Sequence, residues 1–237
     1  MTKRYSVITR VSIGLLSFFA GVVSTEIVGV KGAIAAPDPI FNPVLTEIRQ
    51  KMPKGWSVRL PSNISSYRPN HYVDHISLRD ESFWISIANG PGCNRALSCT
   101  SGHIIISSDN NDSSAKRLLK EPIFTKLEMD KAWKIRTKLS KSSFKLSESE
   151  QDLLIRLNSS PVVSRAPITL KPGLKGTFIS TLGRLGNSHI VWEQDSFIYR
   201  LSFGSTGDPQ DPKTQKDKTN LINAAISMAK ELPIEPN

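Results

Sequence analysis

Cysteine is nearly absent from this 237-residue chain, which carries only Cys93 and Cys99. Two cysteines exclude both a disulfide-built scaffold and a four-cysteine zinc site. Aromatic residues are scarce as well, at 7%, so stacking platforms for single-stranded nucleic acid are few beyond Trp133. No apolar run reaches the roughly 20 residues that span a bilayer; the one near the N-terminus stops at Val23. No repeat with a period of roughly 20–50 residues marks a solenoid or propeller. A Gly-x-Ser-x-Gly elbow, a phosphate loop and a dinucleotide fingerprint are all missing, so the common signatures of nucleophilic hydrolases, NTPases and Rossmann oxidoreductases are not met.

What is present is charge of one sign. Thirty-one Lys and Arg against 21 Asp and Glu give a net +10. Part of it sits in residues 1–35, which read as a secretory signal: Lys3, Arg4 and Arg10, then the apolar stretch Val11 to Val23, then Ala33-Ile34-Ala35 with small residues at −3 and −1. That pattern predicts an exported chain whose mature form, 36–237, lies in the periplasm, the thylakoid lumen or outside the cell with no transmembrane helix, an uncleaved N-terminal anchor being the alternative. Export in turn predicts a Cys93–Cys99 disulfide across a short loop, contributing about 2 kcal/mol. Within the mature chain the basicity is local. Lys116 to Lys145 holds ten basic residues against Glu121, Glu128 and Asp130, and the rest of the mature chain is neutral.

Periodicity predicts an α+β single domain, an antiparallel sheet packed by N- and C-terminal helices. A helix follows Asn42-Pro43 through Val44, Leu45, Ile48 and Met52, and Trp56 to Pro61 reads as a first strand. Tyr72 to Leu78 and Phe83 to Ala88 form a hairpin, followed by the cysteine loop and Ile104-Ile105-Ile106. Ser147-x-x-Glu150 is a capping box opening a helix through Leu153, Leu154 and Leu157. Strands follow on either side of Pro172-Gly173, then Ile190 and Trp192 pair across a turn with Phe197, Tyr199, Leu201 and Phe203. After a polar loop from Gly204 to Thr219, Leu221, Ile222, Ala225, Met228, Ala229 and Leu232 mark one face of a last helix ending at Pro233.

The basic segment, an insertion-like stretch at about 116–157, supports two readings. As a helix, Lys131, Lys134, Lys138, Lys141 and Lys145 form one cationic stripe; as a hairpin turned at Asp130-Lys131, Trp133, Ile135, Thr137 and Leu139 alternate with Lys134, Arg136 and Lys138. Either places Lys126, Lys131, Lys134, Arg136, Lys138 and Lys141 toward solvent as candidates for an anionic surface, lipid headgroup or polysaccharide, or for an acidic protein partner. Nucleic acid is not expected of an exported chain.

Chemistry finds little support. His71 and His75 lie four apart, which suits a metal on a helix but not in their strand-like context. Ser108-Asp109-Asn110 and Ser113-x-x-Lys116 match fragments of serine penicillin-binding enzymes, in reversed order. No catalytic, metal or cofactor-binding residue is assigned, and no cofactor is called for. The expectation is an exported, non-enzymatic binding domain, with a periplasmic hydrolase of unrecognised type as the alternative.

Several stretches together resemble an uncharacterised family of exported cyanobacterial proteins: Met52-Pro53-Lys54-Gly55-Trp56-Ser57-Val58-Arg59-Leu60-Pro61-Ser62, the Cys93/Cys99 pair followed by Gly102, Pro167-Ile168-Thr169-Leu170, Val191-Trp192-Glu193-Gln194-Asp195 with Tyr199, and Ala225 to Ala229. The Lys116–Leu157 region is longer than that family's pattern. The Gly-Trp start, the Tyr-bearing hairpin and the last amphipathic helix are also similar to the fold of extrinsic photosystem subunits of the PsbP type, which implies an architecture and carries no functional residue over.

Overall fold

Alternating Ile, Phe and Tyr residues demand a sheet with one buried face, and in the computed structural model seven strands supply it. The structure describes residues 36–65, 70–91, 93, 99–108, 113–139, 145–182, 187–204 and 212–236. The strands are β1 (Tyr72–Arg79), β2 (Ser82–Ala88), β3 (Thr100–Ser108), β4 (Val162–Lys171), β5 (Leu174–Thr181), β6 (Asn187–Gln194) and β7 (Phe197–Gly204). Their order is β1-β2-β3-β7-β6-β5-β4, antiparallel throughout. Two meanders therefore lie side by side, joined where β3 pairs with β7. Two of the hairpins turn on non-glycine residues with positive φ, Asp80-Glu81 and Asp195-Ser196, the conformation that two-residue loops need to match strand twist.

The helices are α1 (Leu45–Lys51), α2 (Ser113–Lys120), α3 (Lys126–Leu139), α4 (Glu148–Asn158) and α5 (Pro212–Lys230). One sheet face presents Phe83, Ile85, Ile104, Ile106, Phe178, Ile190, Trp192, Tyr199, Leu201 and Phe203 to Phe41, Ile48, Leu221, Ala225 and Met228. Terminal helices thus pack one face of an antiparallel sheet, and the fold is α+β. The other face receives α2, where Ala115 and Leu118 bury against Val162, Ile179, Val191 and Ile198. Beyond α2, Phe124, Ala132, Ile135, Leu153 and Leu157 form a separate small core between α3 and α4. Each buried Phe, Ile or Leu among them is worth about 1.5–3 kcal/mol, enough to hold a lobe outside the main core.

Three boundaries differ from the periodicity. A 3-10 turn, Pro39–Val44, precedes α1, because the buried Asp38 accepts from Ile40 N (3.1 Å) and ties the entry to Ser65 N and Oγ (2.7 and 2.8 Å). Trp56 to Pro61 is no strand of the sheet: it makes only the isolated bridge Val58–Ile234. The last helix begins at Pro212, inside the expected polar loop, and ends at Lys230, so Leu232 lies beyond it and is exposed instead of completing its apolar face.

The motifs around Trp56, Trp192 and the last helix meet in one clasp. Lys171 Nζ and Gln194 Nε2 donate to the Ala229 carbonyl (3.0 and 3.2 Å), and Arg59 donates to the Glu231 carbonyl and to Asp195 Oδ2 (Nε 3.0 Å, Nη2 2.7 Å). These donors satisfy carbonyls that the end of α5 leaves open. Tyr199 stacks on Trp192 (5.2 Å between centroids) and donates to Ser57 O (3.3 Å); burial pushes its phenol up to about 12. Edges are guarded: Lys51 Nζ donates to Ile76 O on β1 (2.9 Å), and Pro167 interrupts donors on β4.

Candidate functional site: a cationic helical lobe

The ambiguous basic segment is helical. Thr125 and Glu128 start α3 as a reciprocal pair: Thr125 N and Oγ1 donate to Glu128 Oε2 (2.7 and 2.8 Å), and Glu128 N donates to Thr125 Oγ1 (3.2 Å). These bonds, the largest of several causes, hold the Glu128 carboxyl below its ordinary range. Its other oxygen accepts from Arg156 Nη1 at 2.7 Å, fastening α3 to α4. At the start of α4, Ser147 and Glu150 complete the expected capping box. Ser147→Ala should cost about 1 kcal/mol of stability, read as a lower urea midpoint; an unchanged midpoint would show that the cap contributes nothing.

Ala132 and Ile135 turn α3 into the lobe, which leaves Lys126, Lys131, Lys134, Arg136 and Lys138 exposed. Lys141 lies outside the described residues, and Lys145, though exposed, precedes α4. The cationic stripe on α3 is therefore Lys131, Lys134 and Lys138, with Leu127 on the same side four residues before Lys131. Leu127 is 79% exposed, Trp133 49% and, on α4, Ile155 65%. Among the described residues seven large apolar side chains are exposed, and five of them (Leu119, Ile123, Leu127, Trp133 and Ile155) belong to the segment from α2 to α4. The cations and the exposed apolar groups share one lobe. Arg136 lies 5.3 Å from the Trp133 ring, so the two kinds of group touch.

Cys93 and Cys99 are disulfide-bonded, with Cα atoms 5.9 Å apart, at the end of the β2–β3 hairpin. Asn89 N donates to Cys99 O (3.0 Å), closing the same loop from the backbone. His75 lies on β1, just past a register shift between Val73 and His75, and His71 precedes the strand. No group of three or more His, Cys, Asp or Glu among the described residues is placed to hold a metal. The fragments Ser108-Asp109-Asn110 and Ser113-x-x-Lys116 are split by residues 109–112, which lie outside the described residues.

A second constellation was not signalled by any motif. The sheet face that carries α2 continues past it as two rows of cross-strand neighbours: Ser77, Trp84, Ile105, Arg200, Val191, then His75, Ser86, His103, Ser202, His189. Ser86 Oγ lies 3.2 Å from His103 Nδ1, His103 meets the Trp84 ring edge-on at 5.7 Å, and Arg200 lies 5.8 Å from that ring. His103 is held below its ordinary range by burial, then by Arg200 and Arg79. Among the described residues the charges acting on it are arginines. Ser86 and His103 are thus a cross-strand polar pair. No family model, curated protein or solved structure matches the chain, and its function rests on this geometry.

Proposed function

We propose that this chain is an exported binding domain whose α2–α4 lobe docks on an anionic membrane surface, an extra element on the exported cyanobacterial pattern that its motifs resemble. The carrying observation is that exposed lysines and exposed Leu, Ile and Trp side chains coincide on one lobe, outside the sheet's own core. Anionic headgroups attract the cations, at roughly 1 kcal/mol per lysine near the surface. Leu127, Ile123 and Trp133 suit the boundary between headgroups and acyl chains, where amphipathic rings and short apolar groups lie. A polysaccharide satisfies the charges but gives exposed aliphatic side chains nothing to bury against; an acidic protein partner would bind without lipid, and the vesicle test separates the two. No helix among the described residues is long and apolar enough to cross a membrane.

The test is sedimentation of the mature chain with vesicles of phosphatidylglycerol and phosphatidylcholine, against phosphatidylcholine alone. Binding to the anionic vesicles is expected at low salt and should fall as the Debye length drops below about 10 Å near 0.1 M salt. The variant K131Q/K134Q/K138Q should lose roughly 3 kcal/mol, about a hundredfold in partition. Leu127→Ser should weaken binding without changing its salt dependence. Absence of binding at low salt, or equal binding to both vesicle types, overturns the reading.

A further inference from the structure

The end of β2 carries a reactive pair of residues that neither the sheet nor the cationic lobe accounts for. Asn89-Gly90 is the one Asn-Gly step in the chain. It lies just past Ala88, the last residue of β2, where the backbone bends into the disulfide loop, and Asn89 is exposed. The Asn89 amide donates to Cys99 O (3.0 Å), which fixes the main chain on the strand side of the step. Among the described residues nothing accepts from the Gly90 amide, and nothing holds the Asn89 side chain.

Packing does not explain the glycine. A Cβ at Gly90 meets nothing within 4 Å, and its φ lies outside the left-handed region, so a residue with a side chain fits there equally well. What glycine does supply is an unshielded amide nitrogen next to the Asn89 side-chain carbonyl carbon. The asparagines elsewhere lack this combination. Pro43 follows Asn42 and has no N–H. Asn63 Oδ1 accepts from Ser227 Oγ (3.2 Å). Ser159, after Asn158, donates its amide to Ile155 O and Arg156 O (3.1 and 3.2 Å), and Ser188, after Asn187, is buried in β6.

We propose that Asn89-Gly90 is a self-modification site, where the Gly90 amide nitrogen attacks the Asn89 side-chain amide and converts the asparagine to aspartate and isoaspartate. The nitrogen loses its proton and bonds to Cγ; the Cγ–Nδ2 bond breaks, and ammonia leaves with that proton. The product is a five-membered succinimide, which water opens. Addition at Cγ breaks its bond to the Gly90 nitrogen and leaves aspartate on the original backbone. Addition at the main-chain carbonyl carbon leaves the chain running through Cβ and Cγ, an isoaspartate whose backbone is one atom longer. Water is the only co-reactant and nothing is oxidised or reduced. The position gives the change a consequence. Asn89 N is bonded to Cys99 O, Cys93 N donates to the Tyr72 hydroxyl (3.3 Å), and Cys93 is joined to Cys99. The segment is held at both ends, so an added backbone atom bears on these contacts and cannot slip away along the strand. Either product also adds a negative charge there. The site shares no residue with α2, α3 or α4 and is independent of the lobe reading.

The experiment is incubation of the folded mature chain over days, at neutral and at mildly alkaline pH, beside a synthetic peptide of residues 84–91. Digestion and mass spectrometry follow the fragment that carries Asn89, and an isoaspartyl methyltransferase with a labelled methyl donor counts the isoaspartate. The expected result is the mass gain of an amide becoming an acid, confined to that fragment, with isoaspartate among the products. Conversion should be faster at the alkaline pH, because the attacking species is the deprotonated amide. Asn89→Gln should abolish it, since the same attack would need a six-membered ring. Gly90→Ala should slow it at least about tenfold, roughly 1.4 kcal/mol on the barrier, because the new methyl group shields the nitrogen. Asn89 left intact in the folded protein while the free peptide converts overturns the proposal. So does a Gly90→Ala protein that converts at the parental rate.

Discussion

Acidification should destabilise this protein through His189 by about 1.4 kcal/mol for each pH unit between roughly 6.5 and 3. In the fold the imidazole is pushed down to about 3, first by burial and then by the charges of Arg200, His103 and Arg117. In the unfolded chain it titrates near 6.5. Between those values the unfolded state binds a proton that the folded state refuses, so stability rises with pH across that window and levels off above it. His103, also lowered, adds a slope of the same sign. Carboxylates titrate in the lower part of the window too, and the comparison that isolates His189 is a substitution. His189→Leu removes one proton from the difference and should flatten the dependence of unfolding free energy on pH from 4 to 6 by about one proton's worth. Urea melts of both proteins in chloride buffers measure this. Parallel curves for the two would mean that His189 titrates normally in the fold.

The second large effect is expected at Gly102. It lies on β3 opposite Phe203 of β7, and a Cβ there would overlap the Phe203 ring, 2.6 Å from Cε1, and the Ser202 carbonyl oxygen. The ring edge could shift, but the carbonyl belongs to the paired backbone and cannot. Gly102→Ala should therefore cost about 3 kcal/mol, the upper end of what over-packing costs. The double variant G102A/F203L should recover only the part due to the ring. Gly90→Ala, where a Cβ meets nothing within 4 Å, is the matched control and should stay within about 0.5 kcal/mol of the parent. A Gly102→Ala protein as stable as the control would show that β3 and β7 can part without penalty.

The sheet was legible because its signals were local. Phe197, Tyr199, Leu201 and Phe203 alternate, and each hairpin is bounded by its own turn, so burial and pairing follow from period alone. The position of Val58 was not, because it pairs with Ile234, a partner far along the chain that no periodicity announces. The basic segment looked undecided since lysines fit an exposed strand and an exposed helix equally well. The deciding signal was Thr125-x-x-Glu128, the same pattern as the recognised Ser147-x-x-Glu150, placed just before the lysines. The cationic lobe could be located from composition. Trp84, Ser86, His103, His189 and Arg200 could not, because they come from four strands and only the register β2-β3-β7-β6 makes them neighbours.

The seam between β3 and β7 has a consequence for the order of assembly. Every other strand pair joins segments adjacent in the chain and needs only a short loop to close, whereas residues 102–108 must find 197–203 across the whole lobe and second meander. Loop closure makes that pairing the kinetically slow one. Until it forms, each half presents an apolar strand as an open edge, the situation in which one chain's half can complete another's. Gly102, at the end of that seam, thus sits where a single methyl group bears on the choice between folding alone and folding with a neighbour.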